Sequence, residues 1–121
     1  MTKIVVGGQI AKEEIAKLIE ENQKDKEFEV EIKNDMNAAM DLKNGAADYY
    51  IGACNTGGGG ALAMAIALVG RDQTVTVSMP GNIMSEDEIR QNIRDGKKAF
   101  GFTAQHKDRI VPIIIDELSK L

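Results

Sequence analysis

The chain has 121 residues and a mass of 13.1 kDa, with 15 basic and 19 acidic residues for a net charge of −4. Hydrophobic residues make up 43% and charged residues 28%, a balance that excludes an intrinsically disordered chain. An acidic net charge with no Trp, two Tyr and three Phe argues against nucleic-acid binding, and the apolar run from Gly60 to Gly70 is shorter than the roughly 20 residues a membrane span needs. The length predicts a single domain, residues 1–121. The one cysteine, Cys54, cannot form a disulfide within the chain, and the N-terminus does not read as a signal peptide, so the expected compartment is the cytoplasm.

In chain order, Lys3 to Val6 is a β-branched strand closed by the turn Gly7-Gly8. Ala11 to Asn22 carries Ile15, Leu18 and Ile19 at helical spacing. Phe28, Val30 and Ile32 alternate with glutamates, as in an edge strand with one wet face. Asn34 or Asp35 caps a helix with Met36, Ala39 and Met40 on its inner face, and Gly45 stops it. A third strand, Asp48 to Ala53, runs into Cys54-Asn55-Thr56-Gly57-Gly58-Gly59-Gly60, and a helix from Gly59 to Val69 is apolar on every side. Thr74 to Ser78 is a fourth strand. Ser85 and Glu88 have capping-box spacing for a helix ending at Gly96. Ala99 to Phe102 is the fifth strand. The last helix carries Ile110, Ile113, Ile114 and Leu118, and Pro112 costs it little if the helix starts near Lys107 or Asp108.

Five strands alternating with five helices predict a three-layer α/β/α, doubly wound (Rossmann-like) fold on a five-stranded parallel sheet. Strand one should lie between strands two and three. Ligands of such sheets bind beyond the carboxyl ends of the strands, where strand order reverses, and both glycine turns fall there.

A strand, a glycine-rich turn and a helix N-terminus present backbone N–H groups to an anion such as phosphate or carboxylate. Close packing of helix on sheet is the alternative use of such glycines. The expected ligand contacts are Gly7, Gly8, Gln9, Asn55, Thr56, Gly57, Gly58, Gly59, Gly60 and His106. The loop lacks the Lys-Ser/Thr of a P-loop, and Gly7-Gly8-Gln9-Ile10 lacks dinucleotide spacing, so no nucleotide cofactor is expected. No His/Cys/carboxylate cluster has metal-ligand spacing. Cys54, at the mouth of a helix N-terminus, is a candidate base or nucleophile, or else a small buried hydrophobe. His106 follows the fifth strand and could pair with Cys54, unless that strand lies too far away and leaves a lone surface histidine. The all-apolar helix, with Ala65 and Ile66 buried, asks for a second subunit and predicts a homodimer.

The stretch Gly45 to Gly57, with Asn34-Asp35-Met36 and Ala99-Phe100-Gly101, resembles the YhfU-like family of small bacterial proteins of unknown function. That resemblance spans nearly the whole chain and implies no reaction; it suggests an accessory role beside metabolite uptake or utilisation. Asp48 to Ala65 is also similar to the strand-loop-helix of ribose-5-phosphate isomerase B and galactose-6-phosphate isomerase. This second resemblance implies Cys54 as the proton-transferring base, with oxyanion contacts from Thr56, Gly57 and Gly59. The chain departs from those isomerases at Gly8-Gln9, where they carry Asp-His, and at Ile93 to Gly96, where they carry His-Asn-Asp.

The expected function is therefore binding of a small anionic or phosphorylated metabolite. An aldose-ketose isomerase is the alternative, and a transport-coupled cysteine phosphocarrier comes third.

Overall fold

The structure, a computed structural model, describes residues 1–24, 26–55 and 59–121. Five parallel strands form the sheet: β1 (Thr2–Gly8), β2 (Phe28–Ile32), β3 (Tyr49–Cys54), β4 (Thr74–Thr76) and β7 (Ala99–Thr103), in the order β2-β1-β3-β7-β4. The remaining two strands, β5 (Ser78–Met79) and β6 (Asn82–Ile83), make a separate antiparallel hairpin. The helices are α1 (Lys12–Glu21), α2 (Asp35–Asn44), α3 (Gly59–Val69), α4 (Glu86–Arg94) and α5 (Lys107–Leu118).

Alternation along the strands sorts the core into two layers. Ile4, Val6, Ile51, Ala53, Phe100 and Phe102 face α1, α4 and α5, which contribute Ile15, Ile19, Ile89, Ile93, Ile110 and Ile114. Val5, Tyr50 and Ala99 face α2 and α3, which contribute Ala38, Ala39, Leu42, Leu62 and Ala65. This is the doubly wound, Rossmann-like arrangement, with β1 between β2 and β3 as expected. The second layer is thin because its residues are small. Gly7, Gly52 and Gly101 stand in one register row across β1, β3 and β7 on that face. A Cβ on Gly101 would come within 2.5 Å of Leu62, so the row lets α3 lie close on the sheet.

Four expectations change. The fifth strand, β7, is not remote from Cys54 but pairs directly with β3, and β4 is the edge strand. The fourth strand ends at Thr76, because Pro80-Gly81, with Gly81 at φ +77°, folds Ser78–Met79 back on Asn82–Ile83. α5 starts at Lys107 as expected, yet Pro112 still lies beyond its first turn, so the Asp108 carbonyl loses its helical donor at an exposed residue. Met36 and Met40 project into solvent, and Ala38, Ala39 and Leu42 supply the buried face of α2.

α4 and α5 are joined by a charge cluster. Arg90 donates to Asp116 at 2.7 Å and to Glu117 at 3.0 Å, while Arg94 reaches the other Glu117 oxygen at 3.3 Å. Glu117 is buried, and this pairing with two guanidiniums satisfies its charge. The Arg90 hydrogen bond, opposed by desolvation, pulls the Asp116 carboxyl down to about 2. Because the folded state holds this group ionised below its unfolded pKa, its contribution is complete above about pH 4 and is lost as pH falls towards 2. Denaturant midpoints measured across that window should fall with acidification in the native chain. They should fall less steeply in Arg90→Gln, and parallel curves for the two proteins would refute the assignment.

Candidate functional site

The carboxyl ends of β1 and β3 meet where strand order reverses, with Gly8 opposite Ala53 in the ladder. Tyr50 organises this corner. Its ring lies over Gly7 and Gly52, where a Cβ would approach ring atoms to 2.5 and 3.0 Å. Its hydroxyl accepts the Gly8 N–H at 2.9 Å and contacts both an Asp35 carboxylate oxygen and the Ala61 carbonyl, the latter at 2.8 Å. With one proton to give, the phenol donates preferentially to the carboxylate, the stronger acceptor. Burial, and next the Asp35 hydrogen bond, push the phenol well above its usual pKa and keep it protonated. One side chain thus ties the end of β1 to the starts of α2 and α3.

The first glycine turn is consumed by this construction. Gly8 N–H goes to Tyr50, and the N–H groups of Gln9 and Ile10 both reach the Ala53 carbonyl, at 2.9 and 3.4 Å. Gly7 and Gly8 are buried, and Gly8 takes φ +77° against the Ala53 backbone. The two glycines serve close packing, and of the expected contacts in this turn only the exposed Gln9 side chain faces outward. Its amide sits over the first turn of α3, where a Cβ on Gly60 would come within 2.9 Å of the amide oxygen.

On the other side of β3, Cys54 is buried and stands opposite Thr103 in the β3–β7 ladder. Thr103 is buried too, and its hydroxyl oxygen has no hydrogen-bond partner among the described residues. Asn55 is exposed just beyond. Thr56, Gly57 and Gly58 lie outside the described residues, and α3 resumes at Gly59.

His106 is not a lone surface histidine, nor is its strand remote. A short 3₁₀ turn, Ala104–His106, carries it directly from β7, and its Nδ1 is 2.9 Å from the Ser78 hydroxyl. The same buried hydroxyl accepts the Thr103 N–H at 3.1 Å. The histidine is therefore paired with Ser78. That partnership went unread because 28 residues separate the two and no motif links them. The Ser78 side borders a cleft of about 600 Å³ beneath the β5–β6 hairpin.

Among the described residues no group of three His, Cys, Asp or Glu side chains could hold a metal, and no helix is long and apolar enough to cross a membrane.

The sequence profile of the family "Protein of unknown function DUF2620" matches residues 2–118. The chain belongs to that family. It is 45% identical over 118 residues to the "Uncharacterized protein YhfU" of Escherichia coli strain K12, covering 98% of this chain and 99% of the relative. The same figures hold for the proteins of that name from Escherichia coli O6:H1 strain CFT073 and from Shigella flexneri. The YhfU-like resemblance read from the sequence is borne out. No solved structure matches the chain.

The Tyr50 clamp makes a direct prediction. Tyr50→Phe keeps the ring but leaves the buried Gly8 N–H without its acceptor, which should cost about 1–3 kcal/mol in urea denaturation. A loss within error of zero would show that the hydroxyl holds nothing together.

Proposed function

We propose that this chain binds a small anionic metabolite at the carboxyl edge of the sheet, between the start of α3 and the ends of β3 and β7. The observation that carries the reading is the Thr103 hydroxyl, buried beside Cys54 with no partner among the described residues. Buried polar groups are nearly always satisfied, and a ligand oxygen entering from the glycine loop supplies what this one lacks. The position of the pair at the strand ends, next to the reversal of strand order, supports the same conclusion. The α3 N-terminus follows with no acidic residue in its first turn, which favours an anion there. In this reading Asn55, Thr56 and the glycines from Gly57 to Gly60 make the contacts. The protein acts in the cytoplasm as a single-domain accessory to metabolite uptake or utilisation.

Thermal shift with inorganic phosphate and a panel of sugar phosphates tests the proposal. A probe at a hundred times its Kd should stabilise the chain by about 2.7 kcal/mol. Thr103→Val removes the orphan hydroxyl at nearly constant volume, and should weaken the shift without unfolding the protein. Gly58→Val should abolish it. A folded Gly58→Val protein with undiminished binding would assign the glycines to packing alone.

The isomerase reading keeps one specific support, Cys54 at the end of β3 with the β7 end beside it. Turnover of an aldose phosphate that Cys54→Ser abolishes while binding persists would establish it, and binding without turnover would leave the binder.

The second element of the proposal is a homodimer through the α2–α3 layer. In α3, Ala65 is fully buried but Ile66 only half, and Ala63 and Ala67 are exposed on a helix with no polar residue. Met36 and Met40 of α2 add exposed apolar surface to the same layer. A second copy of this face would cover both helices. Light scattering at micromolar concentration should give a dimer, and Ala67→Glu a monomer; a native monomer refutes the assembly.

A further inference from the structure

The cleft beneath the β5–β6 hairpin is bounded by the start of α4 and the first turn of α5, and the metabolite reading above leaves it unused. Two exposed side chains of opposite charge line it, Arg109 and Glu88, neither in an ion pair among the described residues. Arg109 stands in the first turn of α5, where the helix dipole disfavours a cation. Arg90 and Arg94 are held in ion pairs, whereas Arg109 has no hydrogen bond or ion pair among the described residues. Its guanidinium therefore contributes nothing visible to the fold and opposes the helix that carries it.

Glu88 has a structural part to play as the third residue of α4. Its N–H goes to the Ser85 hydroxyl at 3.2 Å, and one of its carboxylate oxygens accepts a hydrogen bond from that hydroxyl at 3.3 Å. The second oxygen is left without a partner, and no cation pairs with the carboxylate among the described residues. Between the two charges the wall is mixed. Ser78 and Asn82 contribute polar residues to it, while Ile83 and Met84 supply half-buried apolar surface. Ser78 is fixed in place by His106 and by the Thr103 N–H. The volume, about 600 Å³, lies in the range of small-molecule sites.

We infer that this cleft binds a zwitterion, an α-amino acid with an apolar side chain. Arg109 takes the carboxylate in the two-pronged geometry that guanidinium and carboxylate share. Glu88 takes the ammonium, and Ile83 and Met84 cover the side chain. A simple anion would meet the Glu88 carboxylate unfavourably, and a simple cation would meet Arg109. Only a ligand carrying both charges satisfies both walls. This site does not depend on the glycine loop, and the two readings stand or fall separately.

The test is calorimetric titration of the full chain with L-leucine, L-isoleucine, L-methionine, L-valine and L-phenylalanine at millimolar concentration. At least one should bind. The matching carboxylate without the amine, and the matching amine without the carboxylate, should each bind roughly tenfold more weakly or worse. Arg109→Gln and Glu88→Gln should each weaken amino-acid binding to a similar degree. Both proteins should fold, since Arg109 has no partner to lose among the described residues and Gln leaves the Ser85 cap on the residue-88 N–H in place. Gly58→Val should bind the amino acid as the native chain does. Absence of binding by all five amino acids overturns the inference. So does equal binding of the amine-free carboxylate, which would make the cleft a plain anion site. Loss of binding in Gly58→Val with Arg109→Gln unaffected also overturns it, by moving the amino acid to the glycine loop.

Discussion

The Tyr50 ring can lie across the sheet only because Gly7 and Gly52 face it in register, and its hydroxyl can reach the Gly8 N–H only from that position. The Asp35 and Ala61 contacts then fix where α2 and α3 begin. Removing two side chains from the sheet makes room for one large one, and that one determines the geometry of the carboxyl edge. Buried in this way, a neutral phenol can accept the Gly8 N–H and donate to the Asp35 carboxylate while touching the start of α3, where a charged side chain would need a full counter-ion.

This constraint divides the edge. On the β1 side the backbone donors are committed inward, to Tyr50 and the Ala53 carbonyl. On the β3–β7 side a buried hydroxyl beside Cys54 has no partner among the described residues. Farther out, past β4, the chain leaves the sheet through the Pro80-Gly81 hairpin and opens the cleft that Ser78 and Arg109 line. The parallel topology places both candidate regions on one edge, and the Ser78–Thr103 hydrogen bond is the physical link between them.

Much of the fold was legible because local chemistry agrees with the topology. Asn34 accepts the Asn37 N–H at 2.8 Å, Gly45 takes φ +80° and stops α2, and the Ser85 hydroxyl caps α4 on the Glu88 N–H. Strand order was less legible, since it depends on contacts far apart in sequence. One cue was available: Ala99 to Phe102 is apolar without interruption, as a strand buried on both faces should be, whereas Thr74-Val75-Thr76 is short and partly polar. The site was harder. Gly7, Gly52 and Gly101 become one row only when the register is known, and glycines that pack look in sequence like glycines that bind. Ser78 was read as a strand residue because nothing local announces that its hydroxyl meets His106.

Both proposed sites lie at the carboxyl edge of the sheet. Backbone amide shift mapping by NMR, during titration with inorganic phosphate, sugar phosphates and apolar amino acids, distinguishes that edge from the opposite one. Perturbations should be confined to the ends of β3 and β7, the start of α3, and the surroundings of Ser78 and Arg109. Perturbations gathered instead at the opposite edge, around the smaller cavity of about 360 Å³ between Leu42, Val69, Gln73 and Lys98, would contradict this placement.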